Sequence, residues 1–126
     1  MNKLNILLVD DDTINRKLVK ALLSHHKDMV EKIVEADNGA EALEYLDKDK
    51  SINLVLLDIV MPILDGKGFL KQFRSQKANS SIPVIILTTD DSQVSEILNH
   101  GADDVLIKPI KENELIKKIT YWTQDT

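Results

Sequence analysis

Asp10 with Asp11, then Asp58, Thr88 and Lys108, each follow directly on a short apolar run, at residues 6–9, 54–57, 84–87 and 105–107. If those runs are parallel strands of one sheet, every one of these polar groups is delivered to the same sheet edge. Carboxylates brought together repel, and each resists ionisation unless a cation neutralises the group. A hard divalent ion with oxygen ligands does so, and Mg²⁺ is the expected one. It commonly takes one or two carboxylates, several waters and phosphate oxygens. Three carboxylates against one divalent cation and the Lys108 ammonium leave no net charge, so the pocket can accept a phosphate-bearing donor. Asp58 is then placed to attack phosphorus and form an acyl phosphate. The metal and Lys108 would hold the equatorial oxygens, and Thr88 would donate a hydrogen bond to them.

Positioning these groups requires a particular order of elements. Between the apolar runs lie segments with apolar spacing of three and four: Ile14, Leu18, Leu22; Leu43, Leu46; Phe69, Leu70, Phe73; Val94, Ile97, Leu98; Leu115, Ile119, Trp122. The chain therefore reads as five βα units. Asp12 or Thr13 can cap the first helix and Asp91 or Ser92 the fourth. Asn38-Gly39, Asp65-Gly66 and His100-Gly101 mark turns, and Pro83 fits the opening position of a strand. The second strand, around residues 31–36, carries Glu31, Lys32 and Glu35, and the fifth is short, so these two are the expected edges. Right-handed crossovers then give a doubly wound parallel α/β sheet of order 2-1-3-4-5. Its topology switches between the first and third strands, where Asp10, Asp11 and Asp58 would lie.

Composition narrows the partners. A chain of 126 residues is expected to form one domain, 1–126, with no output domain after its last helix. It has no cysteine, which excludes disulfides and thiolate metal sites. No apolar run approaches the roughly 20 residues of a membrane span. Met1-Asn2-Lys3 leads straight into the first strand without room for a signal peptide, so a cytoplasmic location is expected. Net charge is −5 and the basic residues are not concentrated, which argues against direct nucleic-acid binding. Lys111, Lys117 and Lys118 read as a solvated helix face, and Asp103-Asp104 as a polar loop. His25, His26 and His100 read as helix-end residues favouring the C-terminal dipole, since adjacent histidines lack the spacing of a helical metal pair. Trp122 is expected in the core.

Four segments together carry a resemblance. They are residues 6–12, ILLVDDD; 56–66, LLDIVMPILDG; 83–88, PVIILT; and 101–109, GADDVLIKP. In that order they resemble the CheY-like receiver domain of bacterial two-component response regulators over nearly the whole chain. The resemblance implies that Asp58 is the phosphoacceptor for a histidine kinase or histidine phosphotransfer protein. Asp11 and Asp58 would ligate Mg²⁺ directly, Asp10 through a water, and Val60 through its backbone carbonyl. Thr88 and Lys108 would hold the phosphoryl oxygens, and the Lys108-Pro109 bond would be cis. Such a domain catalyses only its own phosphorylation and dephosphorylation, so no turnover enzyme is expected. It signals to a downstream protein through the face of the fourth helix, fifth strand and fifth helix.

Two switch positions depart from the family pattern. Val105 stands where an aromatic ring is usual, and a β-branched side chain with one stiff rotor cannot make the inward swing of that ring. The signal is therefore expected to travel through residues 89–92 and the fourth helix. Thr89 stands where a smaller residue is common, and its bulk is expected to slow access to the phosphoryl group. Two rival readings are weaker. Val9-Asp10-Asp11-Asp12 loosely fits a small Mg²⁺-dependent haloacid-dehalogenase-like phosphatase, but Asp103-Asp104 precedes Lys108 in the wrong order, and Asp58 and Met61-Pro62 go unexplained. A pseudo-receiver that binds partners without phosphorylation is kept open only by Val105.

Overall fold

The first run, LNILLV, forms β1 (Leu4–Val9) and opens the alternation that the rest of the chain repeats. In this computed structural model, which describes residues 3–59, 66–76, 79 and 81–124, it is followed by α1 (Thr13–Leu23), β2 (Val30–Ala36), α2 (Gly39–Lys48) and β3 (Leu54–Asp58). Then come α3 (Gly66–Ser75), β4 (Val84–Thr88), α4 (Val94–Asn99), β5 (Asp104–Ile107) and α5 (Glu112–Thr123). The sheet order is β2-β1-β3-β4-β5, with every pairing parallel, as the edge character of β2 and β5 predicted. Among the described residues no helix is long and apolar enough to cross a membrane.

Side-chain alternation along the strands assigns each helix to a side. Leu7, Val9, Val55, Leu57, Val84 and Ile86 point to one face and are covered by Ala42, Leu46, Phe69, Phe73 and Ile97 of α2, α3 and α4. Ile6, Leu8, Leu54, Leu56, Ile85 and Leu87 point to the other, under Val19 and Leu23 of α1 and Leu115 and Ile119 of α5. Covering both faces explains why β3 and β4 are buried at every position. The Phe69 and Phe73 rings stack with centroids 5.4 Å apart beneath α3.

Several local expectations are corrected. Of the α1 stripe, Leu22 packs against the core from its edge, but Ile14 and Leu18 do not face the sheet: they are 69% and 60% exposed, while Arg16, Val19 and Leu23 are buried. The helix is turned because Arg16 finds acceptors on its inner side, and a buried guanidinium is tolerated only when so satisfied. Asp12 caps α1 by accepting the Ile14 amide, as expected. Ahead of α4, however, the side-chain cap is Asp90, which accepts from Ser92 N and starts a 3₁₀ turn, Asp91–Gln93. Neither Asp91 nor Ser92 has that role. Pro83 stands just before β4 instead of opening it.

The acidic pair before Lys108 is not a solvated loop. Asp103 Oδ2 accepts the Val84 amide and Arg74 Nη2, each at 2.8 Å, and so ties α3 to the start of β4. Asp104 opens β5 and accepts Lys118 Nζ at 2.7 Å and the half-buried Trp122 indole N–H at 2.9 Å. These contacts require side-chain geometry that a string of residue types does not carry. His25 and His26 reach across to α5, meeting the two carboxylate oxygens of Glu112 at 2.8 and 3.2 Å, so they do more than complement the dipole of α1. They hold the Glu112 carboxyl below its usual range, with the His25 hydrogen bond the larger cause.

Two glycines are dictated by geometry. Gly101 has φ 114° after α4, a conformation that L side chains rarely adopt. At Gly66 a Cβ would stand 2.6 Å from Ile59 Cα, and the Gly66 amide donates to Ile59 O at 2.9 Å. The exit of β3 and the start of α3 are thus pressed together, with Asp58 just before that contact. Residues 60–65, which include the Met61-Pro62 and Asp65 positions, lie outside the described residues, as do Met1 and Asn2.

Candidate functional site

The registers explain why the polar groups converge. Val9 is paired with Leu57, so Asp10 and Asp58 are the next residues along two neighbouring strands. Asp58 is paired with Leu87 and Thr88 with Ile107, which brings Thr88 and Lys108 to the same C-terminal edge. Asp58 and Thr88 close their strands instead of following them, and both are buried along with Asp10. Asp11 is exposed, and Lys108 is half-buried.

Lys108 is the pivot. Its Nζ lies 2.7 Å from Asp58 Oδ2, and its amide donates to Thr88 O at 2.7 Å. The following peptide bond to Pro109 is cis, as the family resemblance implied. Thr88 Oγ1 accepts the Asp90 amide at 3.2 Å, which leaves its O–H hydrogen for another acceptor. Thr89, between Thr88 and Asp90, is exposed, and Val105 is buried in β5.

Asp10 is electrostatically frustrated. Burial raises its carboxyl pKa from 3.8 to about 6, and the charges of Asp58 and Asp11 push the same way. The Asp12 amide, 2.9 Å from Oδ1, and the Lys108 ammonium pull it down without cancelling the rise. One ammonium is therefore too little positive charge for three carboxylates. All the donors are hard oxygens, so the set fits a divalent cation of the Mg²⁺ type. Among the described residues no three acidic or imidazole side chains are drawn together as a ready-made metal cage. Mg²⁺ does not require one, since one or two carboxylates with waters suffice. Val60, the expected carbonyl ligand, is outside the described residues.

A groove of about 460 Å³ opens beside this edge, lined by Asp10 and Lys108 together with Leu18, Leu22, Pro109 and Ile110. Sequence reasoning missed Arg16, which lies on the buried face of α1 and donates to the backbone oxygen of Asp10. The available signal was an Arg three residues before the buried Val19, in phase with Leu23.

Comparison with known proteins supplies the decisive observation: residues 6–120 match a sequence model described as the response regulator receiver domain. The chain belongs to that family. Its receiver fold is shared with solved structures. The chemotaxis response regulator CheY4 of Vibrio cholerae aligns with TM-score 0.84 and 28% identity, over 96% of this chain and 99% of that one. The receiver domain of the sensor histidine kinase PA1611 of Pseudomonas aeruginosa, solved with magnesium in its active-site cleft, aligns with TM-score 0.84 and 26% identity, over 96% and 98%. Among curated proteins, the two-component response regulator-like PRR37 of Oryza sativa subsp. indica is 39% identical over 89% of this chain. The receiver sequence here spans only 15% of that protein's length. The two-component response regulator ORR3 of the same subspecies is 29% identical, over 88% of this chain and 84% of its own. Receiver membership replaces the phosphatase reading of Asp10–Asp12.

Proposed function

We propose that residues 1–126 act as a phosphoacceptor receiver, in which Asp58 takes a phosphoryl group from a histidine kinase or histidine phosphotransfer protein. The observation that carries this reading is the Lys108 ammonium 2.7 Å from Asp58 Oδ2, beside a buried Asp10 whose carboxyl is raised to about 6. That is a site with a nucleophile, a cation for the incoming oxygens, and an unmet demand for more positive charge.

In the transfer, an Asp58 carboxylate oxygen bonds to phosphorus as the phosphorus–nitrogen bond of the donor phosphohistidine breaks. The freed imidazole keeps the bonding pair and takes up a proton. Lys108 leaves its ion pair with Asp58 to meet the phosphoryl oxygens, and Thr88 donates its O–H to one of them. Mg²⁺, when bound by Asp10, Asp11, Asp58 and the Val60 carbonyl, would neutralise the carboxylates and the phosphoryl charge. The chain is consumed as its own substrate and regenerated by hydrolysis, so it is a signalling component and not a turnover enzyme. A cytoplasmic setting fits a donor of this class.

The donor reaches Asp58 past the groove, which exposed Leu18 lines, with exposed Ile14 one turn earlier on α1 adding apolar surface. A downstream protein is assigned to the α4–β5–α5 side, where Leu98, Ile107 and Tyr121 are exposed. With Val105 in place of a swinging ring, the phosphoryl signal runs from Thr88 through Thr89–Ser92 to α4. Support comes from the bond of the Asp90 amide to Thr88 Oγ1: movement of the hydroxyl toward phosphate must release or drag that turn.

Backbone amide spectra recorded with Mg²⁺ and beryllofluoride, a phosphoryl mimic, test both parts. Shifts are expected at Asp58, Thr88 and Lys108, and larger ones across residues 89–92 and 94–99 than at Val105. No change at Asp58 or Thr88 would refute the phosphoacceptor reading. Shifts at Asp58, Thr88 and Lys108 that extend to Val105 and leave residues 89–92 and 94–99 unmoved would refute the proposed route alone.

A further inference from the structure

Arg16 is the most buried cation on α1, with its residue only 9% exposed, and the transfer chemistry above makes no use of it. Such a group demands acceptors, because a charge withdrawn from water without them is strongly unfavourable. Each of its three nitrogens has an acceptor. Nε donates to Glu35 Oε1 at 3.1 Å, and Nη1 lies 2.7 Å from Asp37 Oδ1 while also donating to the backbone oxygen of Asp10. Nη2 reaches Thr13 Oγ1 at 3.4 Å. Glu35 and Asp37 flank Ala36, and Ala36 O accepts the Asp10 amide at 3.1 Å. The main chain of Asp10 is thus held at both ends: its N–H by β2, its C=O by a guanidinium that is itself anchored to the end of β2.

We infer that Arg16 is a positioning residue for the divalent cation. By fixing the Asp10 peptide it sets where the Asp10 and Asp11 side chains leave β1, and so sets the affinity of the acidic site for Mg²⁺. The inference rests on the proposed Mg²⁺-dependent phosphoacceptor site. Lysine is a poor substitute, since a single ammonium lacks the planar fork that spans Glu35, Asp37 and the Asp10 carbonyl together. Lys20, which binds the other Glu35 oxygen, Oε2, at 3.0 Å and makes no hydrogen bond or ion pair to Asp10, serves as the control.

The sign of the effect separates positioning from simple charge. Removing a cation near a cation site should, by Coulomb's law alone, tighten Mg²⁺ binding. Loss of positioning weakens it. Mg²⁺ titrations of wild type, Arg16→Met, Arg16→Lys and Lys20→Met, followed by amide chemical shifts of the intact chain, read this directly. Arg16→Met is expected to weaken Mg²⁺ about tenfold, as loss of a group that orients a metal ligand typically does. Arg16→Lys, which keeps the charge and guards against failure of the Met variant to fold, is expected to weaken it several-fold, and Lys20→Met to leave it within about twofold. Unchanged or tighter Mg²⁺ binding in a folded Arg16 variant overturns the inference while the site reading stands. A wild-type chain that shows no Mg²⁺-dependent shifts at Asp10, Asp11 or Asp58 overturns both.

Discussion

Asp10→Asn is expected to make the metal-free chain more stable at pH 7.5, by up to roughly 3 kcal/mol. The Asp10 carboxyl titrates at about 6 in the fold, against 3.8 for the ordinary group, chiefly because it is buried. A raised acid binds its proton more tightly folded than unfolded. Its contribution to stability is fully present below the unfolded value and is lost as pH rises through the folded one. Wild type and variant should therefore unfold alike near pH 3.5, diverge between about pH 4 and 6, and hold a constant gap above. Asparagine keeps the oxygen that accepts the Asp12 amide, so the local turn survives. Mg²⁺ should narrow the gap by stabilising only the folded wild type. Urea unfolding across this pH range checks the claim, and a variant no more stable than wild type at pH 7.5 would remove the electrostatic basis for cation binding.

Lys108→Met acts in the opposite direction. It removes the ammonium 2.7 Å from Asp58 Oδ2, where the Asp58 side chain is only 9% exposed. Truncating one partner of such a pair should cost about 3 kcal/mol at pH 7.5 without metal. Lys108 also lowers the Asp10 pKa, so its loss should drive that carboxyl further up. The deficit should accordingly shrink toward pH 5, where Asp10 becomes protonated, and shrink again on adding Mg²⁺. Stability within about 0.5 kcal/mol of wild type at pH 7.5 would mean that the ion pair is not what restrains the cluster. Together the two substitutions bracket the site: one relieves the excess of negative charge and the other deepens it.

Much of this arrangement was legible in the sequence because strands advertise burial. All-apolar runs at 54–57 and 84–87 can lie only in the middle of a covered sheet, and the charged β2 only at its edge. With right-handed crossovers and the family resemblance, that points to the order 2-1-3-4-5, and the order brings Asp10, Asp58, Thr88 and Lys108 together. Helix phase was harder. In α1 the residues Ile14, Leu18 and Leu22 compete with Val19 and Leu23 for the inner face, and the deciding vote was a charged one, Arg16. Periodicity counts apolar residues and is blind to a guanidinium that finds its acceptors inside. Long-range polar pairs were equally hidden. Nothing in the spacing of His25 and His26 announces Glu112, nor does Asp103 announce Arg74. Those contacts depend on how helices are set against one another, which follows from packing and not from local pattern.

The central claim is that Asp58 accepts a phosphoryl group in a divalent cation's presence. Its most direct test is intact-mass analysis after treatment with acetyl phosphate, with and without Mg²⁺, on wild type and Asp58→Asn. The account predicts a gain of one phosphoryl in wild type that requires Mg²⁺ and is absent in the variant. Phosphorylation that persists in Asp58→Asn, or no gain in wild type even when a phosphorylated histidine phosphotransfer protein is supplied, would contradict it.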